Sequence, residues 1–194
     1  FPRATHLICC FQYEDDAKRY YRALQNRLGK FGLELADDKT KIIAFGKNSL
    51  DVEEGQIKPG TFDFVGLTHY CGKSKMGKFR VKRKTSKKKY RASLLKVKKW
   101  VKVNRNMPGR ELMDALRVKL NGYFRYYGVT DNFSSLGKFL REVTKLLYNW
   151  LNRRSQRKSF TREQFKEFLK RNPLPSPKIY VNIFQLRFPI TWCK

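Results

Sequence analysis

The net positive charge of this 194-residue chain is confined to its second part, and this uneven distribution limits how the chain can fold. Up to Tyr70 there are ten Lys/Arg and ten Asp/Glu, so the first part is neutral. From Cys71 onward there are 34 Lys/Arg against 6 Asp/Glu, which accounts for the whole formal net charge of +28. A compact body with so many like charges repels itself unless a polyanion lies close. Nucleic acid is the usual polyanion, because cationic side chains displace condensed counterions from phosphates. The second part is therefore predicted to contact RNA or DNA.

The composition is that of a folded chain rather than a disordered tail. Hydrophobic residues make up 41% and aromatic residues 14%, which is too apolar for a disordered segment of this charge. No apolar run approaches the roughly 18 residues that span a membrane, and no signal peptide is visible. We therefore expect a globular chain with no membrane partner.

The cysteines and histidines do not predict a metal site. Cys9 and Cys10 lie inside an apolar run and are interpreted as small, buried hydrophobic residues. His69 and Cys71 could share one metal ion, but two further ligands at a suitable spacing are missing. We expect no cofactor in this chain, and the cysteine usage favours a reducing, cytoplasmic location.

The neutral first part is predicted to contain strands and one helix. Asp15 or Asp16 is expected to cap a helix whose apolar residues recur at helical spacing, and Gly32 to end it. The predicted strands are Leu7 to Phe11, Lys41 to Phe45 and Phe62 to Gly66, followed by a hairpin in which 68–71 and 78–82 flank Gly72 to Gly77.

The basic second part is predicted to be helical, so the chain as a whole is predicted to be α+β. Its helices are expected to begin at Thr85 or Ser86, near Pro108, near Leu136 and near Thr161. The third has the clearest apolar stripe in the chain, and the fourth begins with a capping box formed by Thr161 and Gln164. Phe160 is placed to pack on Phe165 as a hydrophobic staple. The segment from Lys178 to Leu186 is expected to be extended.

Three groups of residues are candidates for contact with nucleic acid. The densest group opens the first basic helix, where cations oppose the helix dipole, so an external anion explains them better than a solvated basic face. A second group points outward from an aromatic segment and could stack on bases or bind phosphates. A third follows a helix carboxyl end, where cations are favourable in any case. The candidates are Lys82, Arg83, Lys84, Lys87, Lys88, Lys89, Arg91, Arg125, Tyr126, Arg153, Arg154, Arg157 and Lys158.

The segment Tyr13-Glu14-Asp15-Asp16 is similar to the metal-binding Tyr-x-Asp-Asp turn of polymerases that copy RNA. The paired carboxylates of such a turn bind and align Mg²⁺, and the turn joins two strands. Here a helix follows the carboxylates. Asp15 and Asp16 are therefore interpreted as helix-start residues rather than metal ligands.

Several blocks, in their order along the chain, resemble the C-terminal half of a group II intron reverse transcriptase/maturase. They are Leu7 to Phe11 with the helix that follows, Phe31 to Leu35 with Asp38 to Lys41, Phe62 to Tyr70, Asn121 to Tyr127, and Leu151 to Phe160 with Pro173 to Pro175. The resemblance implies a partial reverse-transcriptase palm of short antiparallel strands and a helix, then a helical thumb/maturase bundle. It divides the chain into a palm remnant with a primer-grip-like hairpin (1–84), a thumb/maturase X domain (85–158) and a basic C-terminal extension (159–194).

The resemblance also implies a function, but the residues found at the position of the family's catalytic turn restrict that function. In that register the catalytic Tyr-Ala-Asp-Asp would occupy positions 3–6, where this chain has Arg3-Ala4-Thr5-His6. Both metal-binding carboxylates are missing, so no polymerase activity is expected from this chain alone, and Mg²⁺ would be needed only if the missing palm and fingers were supplied.

The implied function is that of a maturase-type fragment that binds group II intron RNA and assists its folding and splicing. A DNA target and a separate N-terminal reverse-transcriptase half are further partners that the resemblance leaves open. Two alternatives remain at this point: part of an active RNA-directed DNA polymerase completed by that half, or a non-functional truncated copy.

Overall fold

The computed structural model describes residues 7–36, 39–47, 60–153 and 160–185. These ranges contain helix α1 (Glu14–Gly29), strands β1 (Thr61–Phe64), β2 (Leu67–Lys73) and β3 (Phe79–Thr85), and helices α2 (Lys87–Asn104), α3 (Gly109–Tyr127), α4 (Phe133–Leu151) and α5 (Arg162–Arg171). The α+β prediction is confirmed. None of the helices in these ranges is long and apolar enough to cross a membrane.

The three strands form one antiparallel sheet in the order β1-β2-β3. The predicted hairpin is confirmed, with longer strands than expected. Ser74 shapes its turn: its backbone N–H donates to Lys78 O (2.7 Å), and its side-chain oxygen accepts from the N–H groups of Met76 and Lys78. Gly77 follows at a φ of +75°, a conformation that glycine adopts without steric cost.

Helices α2 and α4 pack side by side and run in the same direction. Tyr90, near the start of α2, packs edge-on against Phe139, near the start of α4, with ring centroids 5.7 Å apart. Lys102, near the end of α2, lies over the ring of Trp150, near the end of α4. Tyr123 of α3 stacks on the same Phe139 at 3.8 Å, which brings the third helix onto the pair.

The core lies among these helices and extends to α5. Helical spacing places the apolar residues of each helix on one face, and burying that face supplies most of the stability of such a bundle. The buried apolar residues are Val101, Leu112, Met113, Leu116, Leu120, Phe124, Tyr127, Leu136, Phe139, Val143, Leu147, Leu151 and Phe165.

Helix starts follow the local signals of the sequence. Ser86 is the N-cap of α2, and its side chain accepts a hydrogen bond from the Lys89 N–H. The capping box of α5 is complete, with Gln164 N–H on Thr161 Oγ1 (3.2 Å) and Thr161 N–H on Gln164 Oε1 (2.9 Å). The predicted staple is also present, because the rings of Phe160 and Phe165 lie 6.2 Å apart.

The segment after α5 returns to the turn between α3 and α4. Gly128 O accepts hydrogen bonds from the N–H groups of Tyr180 and Val181, and Val181 forms an isolated parallel bridge with Val129. Any side chain at position 128 would collide with Lys178 O and the Tyr180 ring, so this close approach requires glycine. The predicted extended run is thus confirmed from Lys178 to Asn182. Residues 183–185 instead form a turn, in which the Gln185 N–H donates to Asn182 O at 3.0 Å, and Leu186 lies outside the described residues.

In the first part, two predicted strands and the predicted burial of two cysteines are wrong. Leu7 to Phe11 and Lys41 to Phe45 are irregular rather than strands, and Cys9 and Cys10 are exposed rather than buried. An apolar run becomes a buried strand only where another element covers it, and α1 likewise has no buried residue.

The N-cap of α1 is also not where it was expected. Tyr13 occupies the N-cap position and makes no side-chain cap bond, while Asp15 and Asp16 lie in the first turn. They are helix-start residues, as interpreted, but they act by complementing the helix dipole rather than by capping.

Candidate nucleic-acid interface

The cations at the end of β3 do not share one surface. Successive side chains of a strand point to opposite faces of the sheet, so Lys82 and Lys84 lie on one face and Arg83 on the other. Lys84 Nζ lies 4.9 Å from the centre of the Tyr70 ring. Arg83, on the other face, is the register partner of His69 on the neighbouring strand β2. The run Lys82-Arg83-Lys84 is therefore split between two surfaces.

The cations at the start of α2 are also distributed around the helix. At about 100° per residue, Lys87 and Arg91 lie one turn apart on one face, whereas Lys88 and Lys89 turn progressively away from it. Lys89 lies beside Gly66, in the turn between β1 and β2. All four side chains are exposed.

The other sequence-predicted candidates lie on separate elements. Arg125 and Tyr126 are exposed on α3, and the Tyr126 hydroxyl donates to Val65 O at 3.3 Å. Arg153 follows α4 and lies over the Trp150 ring at 5.1 Å. Arg154, Arg157 and Lys158 lie outside the described residues.

Helix α2 presents a longer row of cations than the cluster at its start predicted. Spacings of four, seven, four and three residues keep a row of side chains on one helical face. The row extends over about 27 Å of helix, at 1.5 Å per residue. Its members are Lys87, Arg91, Lys98 and Lys102 on α2 and Arg105, the C-cap residue that follows it.

Helix α4 adds a second row beside the first. Lys138 and Lys145 on α4, and Arg153 just after its end, follow each other at spacings of seven and eight residues. Lys138 shares a cleft with Lys87 and Arg91, and Arg153 lies with Lys102 and Arg105 over the Trp150 ring, so both ends of this row adjoin the α2 row. Glu142 lies between them and is bound by Lys145 at 2.9 Å. We call the eight cations of the two rows the α2–α4 track. The spacing of the cations in the sequence could have revealed the α2 row. That the second row lies beside it depends on the parallel packing of α2 and α4, which the sequence does not show.

A cleft of about 190 Å³ lies at the amino end of the track. Lys87 and Arg91 line it from α2 and Lys138 lines it from α4. Thr85, Tyr90 and Ser135 complete the lining.

A cation cluster lies at the carboxyl end of the track. Lys102, Arg105 and Arg153 lie 5.9, 5.8 and 5.1 Å from the centre of the Trp150 ring. The negative face of an aromatic ring attracts cations at such distances, and helix carboxyl ends favour them as well. The ring therefore holds three like charges close together.

A comparison with protein families gives one match. Residues 90–169 match the family model described as group II intron, maturase-specific domain. This segment of the chain is thus similar to a group II intron maturase-specific domain. The match confirms the resemblance to the C-terminal region of a group II intron maturase and supports a maturase role. No curated protein and no solved structure matches the chain.

The residues that match the maturase-specific domain include seven of the eight track cations, since only Lys87 precedes them. In the described part of the chain, Lys145 is the one track cation within ion-pair distance of a carboxylate. Ion pairs elsewhere, such as Arg117 with Asp114 or Lys170 with Glu167, neutralise cations within single helices. Among the described residues, six of the seven track cations in the matched segment thus have no carboxylate within ion-pair distance.

Proposed function

We propose that the chain binds group II intron RNA along the α2–α4 track and assists that RNA to reach its splicing-competent fold. The observation that carries the proposal is the α2 row. None of its cations lies within ion-pair distance of a described carboxylate, and all but Lys87 fall within the residues that match the maturase-specific domain. This role needs binding rather than bond-making by the protein, because the intron RNA itself catalyses splicing.

The track suits a phosphate backbone better than unpaired bases. Stacking on bases needs an open aromatic face. Tyr90 is half-buried against Phe139, and Trp150 is surrounded by three cations. Recognition of RNA by shape and phosphate position is therefore the expected mode.

The strength of binding should depend steeply on salt. Each phosphate contact contributes about 0.7–0.9 to the slope of log affinity against log salt concentration. Eight contacts would give a slope of roughly −6 to −7. Lys82, Arg83, Lys84, Lys88, Lys89, Arg125 and Tyr126 lie off the track and remain predicted contacts.

A pair of matched double variants tests the track. Lys98→Ala with Lys102→Ala removes two exposed lysines of the track, and Lys96→Ala with Lys99→Ala removes two exposed lysines from other faces of the same helix. Both variants lose the same charge and gain the same helix propensity. Affinity for a group II intron transcript is measured as a function of salt concentration.

The track variant should flatten the salt slope by about 1.5, and the off-face variant should leave it nearly unchanged. Equal changes in the two variants would rule out the track as the interface. Assistance is tested by splicing of the transcript at a Mg²⁺ concentration where the RNA alone splices poorly. The chain should raise the spliced fraction there, and the track variant should not.

A further inference from the structure

We propose that the cleft between the amino ends of α2 and α4 is a seat for a single phosphate group. The proposal rests on the proposed function only for the source of the phosphate, which in that case is the RNA. The capacity of the cleft to bind phosphate is argued from its own lining residues.

The cleft exists because one buried side chain holds two helix starts together. Asn132, which is fully buried, precedes α4 and binds Thr85, the last residue of β3. Only Ser86 separates Thr85 from α2. The first turns of α2 and α4 are therefore fixed side by side, and the cleft opens between them.

Three cations from two helices meet in this cleft. Arg91 can offer a planar pair of N–H donors, which matches two oxygens of a phosphate, while Lys87 and Lys138 supply point charges. The Ser135 hydroxyl adds a neutral donor. A cleft of 190 Å³ is large enough for a hydrated phosphate, since about 10–15 Å³ already admits a water molecule.

No carboxylate lines the cleft to neutralise these cations. The nearest acidic residue along α4 is Glu142, one turn beyond Lys138, and Lys145 binds it at 2.9 Å. The first turns of α1, α3 and α5 carry acidic residues, whereas those of α2 and α4 carry none. The two helix dipoles consequently add to the positive potential of the cleft instead of being offset within the chain.

The test is a titration of the full chain with inorganic phosphate, followed by NMR of the backbone amides. Saturable shifts are expected at Lys87, Arg91, Ser135 and Lys138. Lys138→Ala should weaken phosphate binding about tenfold, the loss of one charge-assisted contact. Arg141→Ala, an exposed cation of the same helix outside the cleft lining, is the matched control and should weaken it less than twofold.

Shifts spread over all basic residues, or equal losses in Lys138→Ala and Arg141→Ala, would overturn the proposal. RNA oligonucleotides of one sequence, with a 5′-phosphate or a 5′-hydroxyl, identify the source. A tenfold preference for the 5′-phosphate assigns the cleft to RNA ends, and equal affinity that still falls in Lys138→Ala assigns it to backbone phosphates. Neither Lys98 nor Lys102 lines the cleft. If the track variant binds RNA as well as the wild type, the proposed function fails, but the phosphate titration still tests the cleft by itself.

Discussion

Asn132 and Thr85 exchange two hydrogen bonds across 47 positions of sequence and join the sheet to the helical part of the chain. Asn132 Oδ1 accepts from the Thr85 N–H at 2.8 Å, and Asn132 Nδ2 donates to Thr85 Oγ1 at 2.9 Å. The same Nδ2 also donates to Tyr127 O at 2.8 Å. The side chain is fully buried, so water cannot replace any of these bonds.

Replacing Asn132 by Ala should lower the free energy of unfolding by about 2–4 kcal/mol, because it leaves the Thr85 N–H and Tyr127 O buried without this partner. Urea unfolding followed by circular dichroism measures the loss. Asn149→Ala, at an exposed position of α4, is the control and should stay within about 0.5 kcal/mol of the wild type. A loss below 1 kcal/mol in Asn132→Ala would contradict the role of the junction.

Asp131 should be sensitive to both its charge and its backbone. It has a φ of +75° and accepts a hydrogen bond from Arg80 Nη2 at 2.7 Å, and its side chain is 13% exposed. Asn tolerates this left-handed conformation better than Ala does. Asp131→Ala is therefore expected to cost about 2–3 kcal/mol and Asp131→Asn about 1–2 kcal/mol of unfolding free energy. Equal losses in urea unfolding would show that the backbone conformation contributes nothing.

His69 should make the stability of the chain depend on pH. Its ring stacks on Phe62 at 4.9 Å, and its Nδ1 is buried without a hydrogen-bond partner. Burial, with a smaller effect of the Arg83 charge, lowers the pKa of His69 below its ordinary value of 6.5. The unfolded chain then binds this proton more readily, so stability is full above about pH 6.5 and falls as the pH drops towards the lower, folded pKa.

The pH effect can be isolated with His69→Phe, which keeps an aromatic ring on Phe62 but cannot be protonated. Wild type should lose more unfolding free energy between pH 7.5 and pH 5.5 than this variant does. Urea unfolding at the two pH values supplies the comparison. If both proteins lose the same amount, then His69 is not the titrating group.

The capping box of α5 should contribute measurably to stability. Thr161→Ala removes the acceptor of the Gln164 N–H and is expected to lower the unfolding free energy by about 0.5–2 kcal/mol. Thr144→Ala is a matched control, since the Thr144 hydroxyl donates to Leu140 O in the interior of α4 and satisfies no unpaired group. Thermal unfolding of both variants checks the difference, and equal melting temperatures would argue against the cap.

The parts of the fold that the sequence predicted correctly are those set by neighbours in the chain. Ser86 begins α2 because its own side chain binds the Lys89 N–H, and Thr161 with Gln164 begins α5 in the same way. The stripe from Leu136 to Leu151 predicts α4 because helical spacing alone places those residues on one face.

The parts that were missed depend on contacts between distant segments. Leu7 to Phe11 has the composition of a buried strand, but the described structure pairs it with no other strand. Lys138 joins Lys87 and Arg91 only because α2 and α4 pack in parallel. Three matters stay predictions: polymerase activity in the presence of a second half, contact with a DNA target, and the boundaries between palm, thumb and extension.

The single residue between β3 and α2 makes insertions at this joint costly. One additional residue at Ser86 would turn α2 by about 100° about its axis and advance it by about 1.5 Å. Lys87 and Arg91 would then point away from Lys138, although no amino acid of the cleft had been replaced. The short joint thus fixes the rotation of α2 relative to the hairpin. A chimaera that exchanges one of the two must preserve the number of residues between them.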